Sequence, residues 1–135
     1  MTANGRVELW SAGWESFIER PLVGLGTGGF ADAFPSELYP HNLFLELAAE
    51  LGIVGLLLVV AFTTAGFVAA LRAYRSTDPQ VSRRAALVTA LLASALTNAA
   101  FSGNVSSNAA VWLAVGLAVG LAESGRDASS GTGEP

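Results

Sequence analysis

The chain contains no cysteine and no lysine, and only one histidine. Without cysteine there is neither a disulfide framework nor a thiolate metal site. Without lysine a Walker-type phosphate loop is excluded, because that loop needs its lysine on the phosphates. Charge is scarce as well: charged residues make up 13% of the chain and the formal net charge is −4. No basic surface for nucleic acid follows from such a balance. All seven basic residues are arginine. What fills the chain instead is apolar: 52% of its 135 residues are hydrophobic. That is too apolar for a soluble domain of this length, which allows one domain at most.

The first fifty residues hold no apolar run long enough to span a membrane. Met1-Thr-Ala-Asn-Gly lacks a basic start followed by an apolar core, so no secretory signal is expected there. Val7, Trp10, Trp14 and Phe17 recur at helical spacing while Glu8, Glu15 and Glu19 face away, which predicts an amphipathic helix beginning near Arg6. Its tryptophans suit either a membrane–water boundary or packing on neighbouring helices. Pro21 ends or bends it. Gly24, Gly26 and Gly29 then match GxGxxG in letters, but the dinucleotide fingerprint needs a strand before it and a βαβ unit around it. The preceding segment is helical and residues 31–40 read as irregular loop. The glycines are expected to serve a tight turn or a close backbone approach, or less plausibly to offer N–H groups to an anion.

The stretch from Tyr39 to Gly55 organises the rest. Pro40 suits the first turn of a helix, which would leave His41 and Asn42 at an exposed, polar start. Leu43, Leu47 and Leu51 share one face of that helix, and Glu46 and Glu50 lie on another. The bland reading is a solvated histidine and a wet acidic face. Gly52 and Gly55 mark the junction with a wholly apolar segment.

Residues 51–71 carry no charge, which is enough to cross a hydrocarbon core of ~30 Å at ~1.5 Å per residue. Residues 85–122 are again uncharged. One helix of that length would be ~57 Å, so a hairpin of two spans is expected, roughly 85–101 and 106–122, turning at residues 102–108. Residues 123–135, rich in serine and glycine, read as a disordered tail. Residues 1–50 hold seven acids against Arg6 and Arg20, whereas Arg72, Arg75, Arg83 and Arg84 crowd the 72–84 loop with Asp78. The positive-inside rule then puts that loop and the tail in the cytoplasm and residues 1–50 outside. The expected fold is an all-α polytopic membrane protein fragment, with an external amphipathic helical loop and about three transmembrane helices.

Gly5-Arg6 with Trp10, then Arg20-Pro-Leu-Val-Gly-Leu-Gly-Thr-Gly-Gly-Phe30, then Pro40-His-Asn-Leu-Phe-Leu-Glu46 and Glu50-Leu-Gly-Ile-Val-Gly55 carry a resemblance. Together they resemble the O-antigen ligase and polysaccharide polymerase family, over about residues 1–122 with the core in 5–55. Members of that family are polytopic proteins of the bacterial inner membrane, and this chain resembles their C-terminal portion: the large external loop and the last helices. The resemblance implies glycosyl transfer on the extracytoplasmic face, from a glycan on a polyprenyl diphosphate such as undecaprenyl diphosphate to an acceptor glycan or glycolipid. It implies no metal and no cofactor. Arg6 matches the family's arginine and would hold the diphosphate leaving group, with Arg20 as a second contact. His41 matches its histidine and would take the acceptor's proton. Asn42, Glu46 and Glu50 would orient substrate. An upstream membrane segment is the expected partner, and the fragment alone is expected to be inactive.

Other readings compete. A triad of His41, Asp32 and a serine lacks any nucleophile elbow. A metal set of His41, Asp32 and Glu37 is the inventory's other option. A non-catalytic membrane subunit, or a degenerate remnant that only packs against other helices, fits the composition equally. A transporter fragment fits less well, since apart from Thr97 and Asn98 the spans have few polar groups and none is ionisable.

Overall fold

A computed structural model of the chain describes residues 3–34 and 39–130. Its helices are α1 (Ala3–Glu19), α2 (Gly29–Ala33), α3 (Leu43–Tyr74), α4 (Pro79–Ala99) and α5 (Ala109–Ser130), with no strand among the described residues. The all-α class expected from the sequence is what forms. Two helical stretches, Leu43–Tyr74 and Ala109–Arg126, are long and apolar enough to cross a membrane. Only 33% and 22% of their most apolar windows are buried within the chain. The segment expected to span over 85–101 lies in α4, which is not among these two: its start carries Arg83 and Arg84, and the apolar stretch beyond them is short.

The chain divides into two compact units, residues 1–61 with 97–109, and residues 62–96 with 110–135. In the first, α1 buries Leu9, Gly13 and Ser16, and Leu9 joins Phe30 and Ala49 in a small core flanked by Ala12 and Phe34. That is not the aromatic stripe read from the sequence. Val7 and Trp14 stay exposed, because the small residues are what let α1 approach α3. A Cβ added at Gly13 would sit 2.9 Å from Leu45 Cγ.

In the second unit the core is Ala69, Ala70 and Ala73 of α3, Val81, Ala85 and Val88 of α4, and Ala118 and Ala122 of α5. Small side chains allow close helix approach, the packing used where lipid removes the hydrophobic drive. Gly66 makes the closest such contact, with its missing Cβ position 2.7 Å from Val115 Cγ2. Larger apolar residues point outward instead, among them Val68, Leu71, Leu87, Leu91 and Leu117. Pro79 occupies the first turn of α4, and Asp78 Oδ1 accepts from the Gln80 N–H at 2.7 Å. Both are favoured at a helix start. Helix α5 runs on through Ser130, so the tail expected from residue 123 is helical over 123–130. Extending a formed helix gains one hydrogen bond per residue without a new nucleus, which offsets the weak propensity of serine and glycine.

Candidate functional site

Helix α3 is continuous in name only. Gly52 sits at φ 64, ψ −153, a backbone region essentially closed to residues with a Cβ. The break leaves the carbonyls of Ala49 and Glu50 without partners one turn on, and the loop after α1 supplies them. The Leu25 N–H donates to Ala49 O at 2.9 Å and the Gly26 N–H to Glu50 O at 2.8 Å. In the other direction the Ile53 N–H donates to Pro21 O at 2.7 Å. Gly24, at φ 65, lies so close to Glu50 that a Cβ there would overlap the Glu50 carbonyl. The glycine loop thus serves a turn and a close backbone approach, as its sequence led one to expect. The irregular segment expected over 31–40 begins with the short helix α2, which brings Phe30 into the core.

The polar start of α3 differs from its sequence reading. Pro40 is buried and precedes the helix; its carbonyl accepts from Trp10 Nε1 at 3.1 Å. Asn42 is the cap, its Oδ1 accepting from the Phe44 N–H at 3.0 Å and the Leu45 N–H at 3.1 Å. That pairing uses two of the donors a helix start leaves unsatisfied, which is why Asn outcompetes Pro40 as the starting point. His41 is half-buried rather than exposed, at φ 54, with its ring 4.5 Å from that of Tyr39. Among the described residues it is the one non-glycine with positive φ. Histidine tolerates this left-handed geometry better than most residues, yet strain of this kind clusters at functional sites.

Glu46 and Glu50 do not form a wet face. They are 7% and 8% exposed, and each is held by a backbone N–H from a different segment, the 102–108 turn and the start of α2. Glu46 Oε2 accepts from the Val105 N–H at 3.1 Å, and Glu50 Oε1 from the Phe30 N–H at 3.4 Å. The Phe30 N–H at the end of the glycine segment is therefore taken by the protein's own Glu50 side chain. The 102–108 turn that reaches Glu46 is fixed locally: the Ser107 N–H donates to Asn104 Oδ1 at 2.8 Å, and buried Asn108 donates to Ser102 O and Asn104 O.

Of the residues proposed from the sequence, His41 and Asn42 lie immediately before α3 and Glu46 and Glu50 on its first two turns. Arg6 and Arg20 are exposed on and after α1, and neither makes a hydrogen bond with those four. Trp10, read from the sequence as part of an amphipathic helix face, and Tyr39, given no role there, join the cluster through Pro40 and His41. A mostly apolar cavity of about 360 Å³ opens beside Asn42, lined by Trp10, Trp14, Phe44, Leu45 and Leu56. No group of three or more His, Cys, Asp or Glu able to hold a metal occurs among the described residues, and Glu37 lies outside them.

An all-α membrane chain, with a capped and kinked helix whose Asn42 cap borders an apolar groove, is the class these observations define. Residues 1–60 match the O-antigen ligase family model. Over 92 residues the chain is also 33% identical to the exopolysaccharide production protein ExoQ of Rhizobium meliloti (strain 1021), covering 57% of this chain and 21% of that protein. The resemblance read from the sequence is thus borne out by a match to the O-antigen ligase family over the first sixty residues. The chain spans about a fifth of the length of that curated relative. No solved structure matches.

Proposed function

We propose that this chain is the C-terminal part of a membrane glycosyltransferase of the O-antigen ligase or polymerase type. It acts on the extracytoplasmic face of the bacterial inner membrane. The glycan passes from a polyprenyl diphosphate carrier to an acceptor hydroxyl. His41 accepts the hydroxyl proton as the oxygen attacks the anomeric carbon, the bond from that carbon to the diphosphate oxygen breaks, and the departing diphosphate is held by Arg6 with Arg20 beside it. Asn42 orients His41 by fixing the helix start, and Glu46 and Glu50 fix the two loops around it.

One observation carries this reading: the single histidine, inside the family-matched segment, is held in a strained backbone conformation immediately before a capped helix. The apolar groove that starts at Asn42 supports it further, since a lipid-linked donor needs an apolar wall beside its reacting end. The arginines of 72–84 support the placement of 1–50 outside. Thr77→Cys and Ser36→Cys, labelled with a membrane-impermeant reagent on intact cells, test that placement; labelling of Thr77→Cys alone reverses it. The activity is tested by joining this segment to the upstream helices of its own reading frame and supplying polyprenyl diphosphate glycan. Release of polyprenyl diphosphate with acceptor extension is expected, falling sharply in Arg6→Ala. Intact donor throughout, with a folded protein, overturns the proposal.

A further inference from the structure

Three arginines converge at the far end of the second unit. Arg72 and Arg75 on α3 and Arg126 on α5 line a cavity of about 310 Å³, together with Ser76, Thr77 and Gly125. Helix α5 packs beside the end of α3 here: a Cβ at Gly125 would stand in ordinary contact, 3.4 Å from Ser76 Oγ. The acid nearest in sequence to Arg72 and Arg75, Asp78, is occupied as the cap of α4, while Glu123 and Asp127 stand near Arg126 in the sequence of α5. Guanidinium groups from two helices and two hydroxyls around one cavity are the chemistry that holds a phosphate, because the planar fork matches its oxygens. Position selects which phosphate. One turn back from Arg72 and Arg75, Val68 and Leu71 on α3 are exposed apolar side chains, as is Val119 about two turns back from Arg126 on α5, and they continue the surface of the two helices apolar enough to cross a membrane. A bound molecule would meet cations at one end and a hydrocarbon-facing surface at the other.

We propose that this cavity binds the headgroup of an anionic phospholipid, its acyl chains lying along Val68, Leu71 and Val119. The site is independent of the glycan-transfer chemistry. It pins the end of α3 to that of α5 through one lipid phosphate, and its selectivity is for a phosphodiester carrying net negative charge over a zwitterionic headgroup.

The test uses the whole 135-residue chain in detergent micelles doped with dioleoyl phosphatidylglycerol or dioleoyl phosphatidylcholine, with retained lipid counted by native mass spectrometry. Preferential retention of one phosphatidylglycerol is expected. Arg72→Gln and Arg75→Gln should each weaken it about fivefold, the effect of losing one basic residue near a lipid surface. Arg83→Gln and Arg84→Gln, on exposed positions of α4 outside the cavity, should leave it within about twofold, because exposed charges away from the bound phosphate are screened by salt. Glutamine keeps helix propensity, and circular dichroism confirms the fold of each variant. Equal retention of both lipids overturns the proposal, as does an equal loss in the α4 variants, which would reduce the effect to general surface charge. Displacement of phosphatidylglycerol by inorganic phosphate at matched concentration would make the cavity a free-anion site and overturn the lipid assignment.

Discussion

In the unit formed by residues 1–61 and 97–109, glycines at positive φ, an asparagine cap and two buried carboxylates hold the backbone in shapes that helix propensity alone would not give. In the unit formed by 62–96 and 110–135, the buried residues are chiefly alanine and valine, and the glycines of α5 at 116 and 120 face open space. The first kind of construction fixes particular atoms: Asn42 on two amides, Glu46 on Val105, Pro21 on Ile53. The second fixes only the distance between helices. Chemistry that needs a histidine within fractions of an ångström of its target belongs on the first kind, and His41 is there.

The sharpest way to break that contrast is a single methyl group. Gly52→Ala places a Cβ 2.7 Å from Pro21 O at a φ/ψ only glycine adopts. A loss of about 3 kcal/mol or more is expected, from strain plus overlap. Gly120→Ala meets nothing within 4 Å on α5, and should be neutral or stabilising by ~0.5–1 kcal/mol. Thermal melting in a fixed detergent compares the two. Equal losses would remove the distinction between the units.

Glu46→Ala comes next. It removes the acceptor that holds Val105 in the 102–108 turn, and should cost about 1–3 kcal/mol, the range for removing one partner of a buried hydrogen bond. Glu46→Gln keeps an acceptor oxygen and should cost less. Amide exchange at Val105 reports the effect locally; no change in its protection would mean that the turn is held by other contacts. Asn42→Ala should be smaller still, about 1 kcal/mol, the usual cost of losing a side-chain cap. Faster exchange confined to Phe44 and Leu45 is the expected signature, and loss spread along α3 would contradict it.

Much of this organisation was legible in the sequence, for reasons that differ by element. The apolar run of α3 and the hairpin turn at 102–108 were legible because uncharged length and turn chemistry are local. The glycine loop was legible in kind but not in partner: nothing in the spacing of Gly24 and Gly26 says that Ala49 and Glu50 lie opposite, since that pairing comes from the break at Gly52. The burial of Glu46 and Glu50 was not legible. Four-residue spacing of acids is what a wet face also shows, and their donors, Val105 and Phe30, are 59 and 20 residues away in sequence. The start of α3 was misplaced because Pro40 and Asn42 are both good starters. Here the Trp10 indole takes the Pro40 carbonyl, while Asn42 takes the first amides of the helix.

The central claim is that His41 does chemistry rather than packing, and it is tested by glycan transfer in a complete, active protein that carries this segment. His41→Asn is the variant of choice, because asparagine accepts the left-handed backbone at φ 54 but offers no base near neutral pH. Transfer should fall by ~10²–10⁴-fold, the usual contribution of a positioned general base, with the melting temperature and membrane level unchanged. Near-normal transfer by a well-folded His41→Asn protein would contradict the account and leave Arg6 as the one residue of the segment with a chemical role.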